Sequence, residues 1–437
     1  MKITQIYKRD GTLVPFNQIK ITHAIYKAAQ EAGGHDMELA KKLSDMVVDI
    51  LENHFPQTIP AVEEIQDIVE QVLIQQGHTK TSKLYILYRQ KRKELREKRE
   101  KNEIENIPYK TIWQNLVWNL EHSCDTVSKL NKHIEAGIFS QLIKDSEARY
   151  DQEILKIASL IKTNLNRIKL LIISGPSSSG KTTTTQRIAD ELKKEGIDFV
   201  KLAIDNYFYS LDYQLKDDYS DYDFEGPYAL DIPLINQHLA DLLRGEEIDV
   251  PRYDFKSGCR EEQTDKLKLK DNQIILIDSH FGIYDKLTEI VPDDKKYKLY
   301  LETLCQLKDN QGQFVRWTDI RLLRRMIRDV QFRSYNPKET IGHWHYVRQG
   351  ELKNIIPYIH TADYVFNTSL AYELPILKHC LFKFFPEMIE AYKNDPNRQD
   401  AYIRAQRVYD LLKEVKEWPD KSSVPQNSIL REFIGDN

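Results

Sequence analysis

The sequence predicts a mostly parallel, doubly wound α/β domain over residues 167–437, preceded by a small, mainly helical module over 1–95, with a charged helical connector and accessory helices over 96–166 between them. Three observations predict it. In the second half of the chain, short continuous apolar runs of strand length alternate with helical segments. Helical periodicity dominates the first part. Between the two lies RQKRKELREKREKNE, a run of charges with no apolar face, which reads as a solvated helical boundary.

Composition agrees with this division. The 437 residues, 41% of them apolar, suffice for two or three domains that each bury a core. A formal net charge of −4 with 30% charged residues describes a surface of mixed sign, which argues against a nucleic-acid partner or a polybasic membrane patch. Cys124, Cys259, Cys305 and Cys380 stand far apart, with no CxxC pair for zinc or redox work and no dense disulfide framework. The start, MKITQIYKRDG, lacks the apolar core of a signal peptide, and no run approaches the ~18 apolar residues of a membrane span. A cytoplasmic protein is the expectation, and nothing in the pattern opposes a homo-oligomer.

In chain order, residues 3–16 read as two short strands around an Asp10-Gly11 turn. Ile19, Ala24, Ile25 and Ala28 fit one helix; Ala40, Leu43, Val47, Ile50 and Leu51 a second; Val62, Ile65, Ile68, Val69 and Leu73 a third, opened by Pro60 and Glu63-Glu64. A fourth starts near Thr79 and carries Tyr85 and Tyr88. From Ile107 to Asn166 further helical patterns with Trp113 and Trp118 form an accessory layer. Strands are then expected at IKLLIIS (168–174), FVKLAI (199–204), IILID (274–278), KLYLE (298–302) and DYVFNT (363–368).

Between the first of these strands and a helix from Lys181 to Lys194 sits Gly175-Pro-Ser177-Ser178-Ser179-Gly180-Lys181-Thr182-Thr183, a full GxxxxGK[ST] in the strand–turn–helix context that phosphate binding requires. Glycines let backbone N–H groups turn toward phosphate oxygens and the helix N-terminus favours negative charge. Lys181 then bridges the β- and γ-phosphates of ATP and Thr182 ligates Mg²⁺. Asp278, ending IILID at a strand's carboxyl edge, is a candidate second metal ligand. Asp205 closes FVKLAI beside Tyr207 and Phe208, where a general base for an acceptor hydroxyl belongs. Arg321, Arg324, Arg325 and Arg328 share one helical face, a spacing suited to planar contacts with phosphate oxygens.

With the segments Tyr222-Asp-Phe-Glu-Gly-Pro-Tyr-Ala-Leu-Asp231 and Val250-Pro-Arg-Tyr-Asp-Phe255, these residues resemble the uridine kinase and phosphoribulokinase family over roughly 168–370. The ending NSILREFIG looks like that of long bacterial nucleoside-kinase relatives. The resemblance implies a P-loop kinase that moves the γ-phosphate of ATP to the 5′-hydroxyl of a nucleoside, with another small alcohol or sugar phosphate as the alternative acceptor, or a non-catalytic nucleotide sensor as the alternative role. It makes Asp205 the base, Glu225 a holder of ribose hydroxyls, and Tyr207, Tyr253 and Arg260 acceptor-side residues. Arg324, Arg325, Arg328 and Arg333 become clamps on the phosphates. Two departures stand out. Glycine, Gly258, occupies the place where pyrimidine-specific relatives carry a base-reading histidine, and Glu225-Gly226 replaces the usual Asp-His.

Residues 1–95 resemble the ATP-cone through Lys8-Arg9-Asp-Gly11, Val14-Pro-Phe16, Lys20-Ile21, Val62-Glu-Glu-Ile-Gln-Asp67, Val69-Glu70 and Tyr85-Ile-Leu-Tyr88-Arg89. That resemblance implies a regulatory site for ATP or dATP, with Lys8, Arg9 and Lys20 as its cations.

Overall fold

The computed structural model describes residues 3–7, 13–34, 36–56, 58–87, 89, 107–211, 226–255, 257–270, 273–332, 335–395 and 398–435. The chain divides into two compact units, Met1–Asn102 and Glu103–Asn437.

In the first unit, strands β1 (Gln5–Tyr7) and β2 (Leu13–Pro15) pair antiparallel, with Ile6 opposite Val14. The expected Asp10-Gly11 turn, together with Lys8 and Arg9, lies outside the described residues. Helices α1 (Gln18–Glu31), α2 (Met37–His54), α3 (Val62–Gln75) and α4 (residues 79–87) follow. Asn17 and Asp36 cap α1 and α2 through their side chains, accepting from Ile19 N–H and Leu39 N–H. The core gathers Ile21, Ile25 and Ala28 with Val47, Leu51, Val69, Val72 and Tyr85. Ile19, expected inward, is instead exposed: the buried stripe on α1 steps through 21, 25 and 28, at intervals of four and three. Arg89 donates to Gln66 at 2.8 Å, pairs with Asp67 at 2.8 Å and also bonds Glu70. Three separate pieces of the cone-like pattern thus meet at one guanidinium.

In the second unit, α5 (Tyr109–Glu121), α6 (Val127–Glu135) and α7 (Phe139–Thr163) lead into β3 (Leu170–Ser174), α8 (Lys181–Lys194) and β4 (Asp198–Lys201). Helix α9 (Ile232–Leu243) and the antiparallel hairpin β5 (Glu247–Asp254) and β6 (Cys259–Lys268) precede β7 (Gln273–Ser279) and β8 (Lys296–Glu302). Helices α10 (Trp317–Phe332) and α11 (Pro337–Asn354), strand β9 (Tyr364–Asn367) and helices α12 (Glu373–Leu381), α13 (Phe385–Tyr392), α14 (Gln399–Glu414) and α15 (Arg431–Ile434) complete it.

The sheet runs β4-β7-β3-β8-β9, every pair parallel, and its five strands coincide with the five apolar runs. Those runs are continuous because both faces are covered. In β3, Leu171 and Ile173 enter one core cluster and Leu170 and Ile172 the other; in β7, Ile274 and Leu276 oppose Ile275 and Ile277 in the same way. Each such side chain contributes about 1.5–3 kcal/mol when fully buried. The accessory helices belong to this fabric. Phe139, Ile143, Tyr150 and Ile157 of α7 lie in the same cluster as Leu171 and Ile173, so residues 107–166 help to cover the sheet.

Candidate active site

Parallel pairing brings the site together at one sheet edge. β3 ends at Ser174 and pairs with β7 so that Ile173 lies opposite Asp278 and Ser174 opposite Ser279. The phosphate loop and the candidate metal ligand therefore leave the sheet side by side. In the loop, a Cβ on Gly175 would collide with the Leu301 carbonyl and stand 2.8 Å from Ser179 Oγ, so no side chain fits. Gly180 has φ +83°, and Ser178 adopts φ 59°, a left-handed conformation uncommon outside glycine. Ser178 Oγ and Ser179 Oγ are buried without a hydrogen-bond partner, and so is Arg324 Nη1, 3.8 Å from where a Gly180 Cβ would stand. Leaving such groups unmet costs about 1–3 kcal/mol each, a cost that phosphate oxygens would relieve.

Lys181 is half-buried and donates to the Pro176 carbonyl at 3.3 Å. Burial lowers its pKa; Asp278, Glu432 and Asp205 oppose the fall, and Arg328 adds to it. One lysine thus senses both candidate carboxylates and one candidate arginine. Asp205 sits exposed in the short 3₁₀ turn Ile204–Tyr207 that follows β4. Thr182 is exposed on the first turn of α8. The Thr182 hydroxyl and Asp278 carboxylate are hard oxygen donors suited to Mg²⁺. Among the described residues no group of three or more His, Cys, Asp or Glu side chains could hold a metal, so most of that ion's ligands would be phosphate and water oxygens.

The arginine face of α10 divides in two. Arg321 is fully buried, pairs with Glu351 at 2.6 and 2.8 Å and Glu302 at 2.9 Å, and supports the loop by donating to the Ser177 carbonyl at 3.1 Å. Arg324 is also fully buried, holding Glu373 and the Thr368 carbonyl at 2.7 Å each, which leaves only Nη1 toward the loop. Arg325 is half-buried, donates to Ser177 Oγ at 2.8 Å and pairs with Asp329 at 2.7 Å. Arg328 is half-buried within electrostatic reach of Lys181. Arg333 lies outside the described residues.

At the residues expected on the acceptor side, Phe208, Tyr253 and Phe255 form an aromatic wall with ring centroids 4.9–6.0 Å apart. Tyr253 is buried, and its hydroxyl has no hydrogen-bond partner. Tyr207 is turned away, its hydroxyl 2.7 Å from His238 Nδ1 inside the core. Arg260 donates to the Phe208 and Tyr207 carbonyls at 2.8 Å and pairs with Asp231 at 3.0 Å, so it fixes the turn that bears Asp205. At Gly258, φ is +70° and a Cβ would collide with Leu211; an apolar side chain fills the space beside this position. Glu225 lies outside the described residues, and so do Lys8 and Arg9 of the regulatory set, while Lys20 is exposed on the first turn of α1.

The structure adds residues that the motifs did not assign. His280 follows β7 and lies with Nδ1 3.2 Å from the Gly175 carbonyl; burial and Lys181 push its pKa down to about 3, so it is neutral and donates there. Its position two residues after Asp278 was the only sequence signal. Tyr150 of α7 shares a 2.6 Å hydrogen bond with Thr184, which itself donates to the Gly180 carbonyl at 2.5 Å. Glu432, near the end of the chain, accepts from the N–H and O–H of Thr183.

Residues 170–372 match the phosphoribulokinase / uridine kinase family, and residues 4–94 match the ATP cone domain. A uridine kinase of Staphylococcus aureus (strain JH9) is 30% identical over 172 residues, covering 39% of this chain and 73% of the relative. A uridine kinase of Deinococcus deserti is 27% identical over 194 residues, covering 44% of this chain and 84% of the relative. A solved structure described as a possible uridine kinase from Bacillus stearothermophilus superimposes with a TM-score of 0.31 at 18% identity, covering 49% of this chain and 98% of that one.

Proposed function

Because the chain belongs to the phosphoribulokinase / uridine kinase family, we propose that it transfers the γ-phosphate of ATP to the 5′-hydroxyl of a nucleoside, under control of ATP or dATP held by the N-terminal cone. The observation that carries the reading is the strand–loop–helix of residues 170–194, which leaves the sheet beside Asp278 and whose Lys181 is within the electrostatic influence of Asp278, Asp205 and Arg328. Asp205, exposed at the sheet edge, accepts the proton of the attacking hydroxyl. Lys181 and Arg328 offset charge on the transferring phosphoryl group, and Arg325 holds the loop through Ser177. Thr182 and Asp278 would hold Mg²⁺, which supplies charge neutralisation between the β- and γ-phosphates.

A nucleoside is favoured over a sugar phosphate by the wall itself. An anionic acceptor needs a free cation, whereas among the described residues of the wall Arg260 is spent on two carbonyls and Asp231, and the adjoining side chains are Phe208, Tyr253, Phe255 and Leu211. ADP release by the full-length protein, measured against a panel of nucleosides and sugar phosphates, tests the reading. Nucleoside-dependent release lost in Asp205→Asn is expected. Turnover with sugar phosphates alone would replace the acceptor; none with any alcohol would favour a sensor.

A further inference from the structure

The first N–H groups of a helix have no partner within it, and together with the helix dipole they form the anion-binding end on which a phosphate loop depends. In α8 the residue that should cap this end is Gly180, which has no side chain to accept a hydrogen bond. The acceptor comes from the other end of the chain. Glu432 Oε2 lies 3.2 Å from Thr183 N and 3.0 Å from Thr183 Oγ1, and its charge reaches Lys181.

The carboxylate is delivered by a fixed scaffold. Arg431 ties the segment together by donating to the carbonyls of Lys421 at 2.9 Å, Val424 at 2.6 Å and Gly435 at 3.0 Å, and Gln331 of α10 donates to the Ile434 carbonyl at 2.9 Å. Phe433 lies under the Arg324 guanidinium at 5.2 Å, and Ile429 Cδ1 comes within 3.3 Å of where a Gly180 Cβ would stand. The C-terminal segment therefore forms one side of the loop's mouth.

We propose that Glu432 is an internal ligand of the phosphate cradle: it holds the N–H and O–H of Thr183 that a nucleotide phosphate would otherwise take, and it must withdraw for the nucleotide to seat. A carboxylate and a phosphate oxygen cannot share those donors at hydrogen-bond distance without strong like-charge repulsion. Glu432 thereby sets how tightly this site takes a nucleotide. The inference rests on the reading that residues 175–183 bind a nucleotide.

Calorimetric titration of the full chain with ATP tests it, comparing the wild type with Glu432→Gln and Glu432→Ala. Lys181→Ala introduced into each separates binding at the phosphate loop from binding at the N-terminal unit. Removing a competing charge-assisted hydrogen bond should tighten the Lys181-dependent site by about tenfold in both variants. Unchanged or weaker ATP binding, with a lower unfolding temperature in the absence of nucleotide, would make Glu432 a structural cap and overturn the inference while leaving the nucleotide reading intact. Lys181-dependent binding absent from all three proteins would overturn both.

Discussion

At the phosphate loop, Ser178 Oγ, Ser179 Oγ and Arg324 Nη1 are buried without partners, whereas among the described residues of the aromatic wall most polar side chains are already taken. Arg260 is spent on two carbonyls and Asp231, Tyr207 on His238, and Gly258 is covered by Leu211; the Tyr253 hydroxyl is the exception. Unmet buried polar groups discriminate strongly, because a ligand lacking the matching atoms leaves their desolvation cost in place. A mostly apolar wall discriminates by shape, and weakly. On the proposed reading, the difference would have the phosphate donor held by chemistry and the acceptor chiefly by fit.

The largest effects are expected at the loop and its base. Lys181→Ala should remove charge compensation and Asp205→Asn should leave ATP bound but the hydroxyl unactivated, each lowering kcat by about 10²-fold or more. Steady-state rates with the best acceptor check this, and binding separates the two routes. Wild-type turnover in Asp205→Asn would remove Asp205 as the base.

Next in size is the support beneath the loop. Arg321→Met leaves Glu351 and Glu302 buried without their principal cation and takes away the donor to the Ser177 carbonyl. Breaking a buried pair from one side costs about 3–5 kcal/mol, to be read as a fall in the denaturant midpoint with an unchanged slope. A stability equal to wild type would show that Arg321 is held by the loop and does not hold it. The double replacement Arg321→Met with Glu351→Leu should recover part of the loss.

Much of the loop was legible in the sequence and much of the wall was not. The five strands could be read because burial on both faces turns each into an unbroken apolar run, and GKT behind such a run admits few other meanings. The β5–β6 hairpin was hidden. Its inward residues, Ile248, Val250 and Tyr253, are spaced across a bulge between Pro251 and Tyr253, and its other side is charged, so no clean period of two appears. The four arginines on one face of α10 were visible, but which of them are buried depends on Glu302, Glu351 and Glu373, on three other elements. Glu432 and Tyr150 reach the first turn of α8 from 249 and 34 residues away along the chain; Glu432 lies within the NSILREFIG ending, but nothing local gives either residue its role.

A smaller effect, and a sharper test of the wall, comes from Gly258→His. The substitution restores the residue type of pyrimidine-specific relatives, but at a positive φ and into the volume of Leu211, so it should destabilise by about 1–3 kcal/mol and lower kcat/KM for every nucleoside. Pairing it with Leu211→Ala opens the space. In the wild type, purine and pyrimidine nucleosides should differ little in kcat/KM, and the double variant should move toward pyrimidines. Strict preference of the wild type for uridine and cytidine would mean that the base is read elsewhere.

The smallest effect is expected from the N-terminal unit, and it asks which of the two regions is controlled. A phosphate loop with its own lysine has no need of a second ATP site to do chemistry, so a nucleotide held by the cone matters only if the protein's active and inactive arrangements bind it unequally. Coupling of this kind is typically about 1–3 kcal/mol, a several-fold to hundredfold change in affinity. Because the loop is the region poised by charge, dATP at the cone is expected to change KM for ATP more than KM for the nucleoside. Rates measured over a grid of ATP and nucleoside concentrations, with and without dATP, give the two values separately, and Lys8→Ala, Arg9→Ala and Lys20→Ala in the full chain should flatten the response without changing kcat. A response to dATP that persists in all three variants would assign it to competition at the phosphate loop, and an equal shift in both KM values would place the control on the whole site.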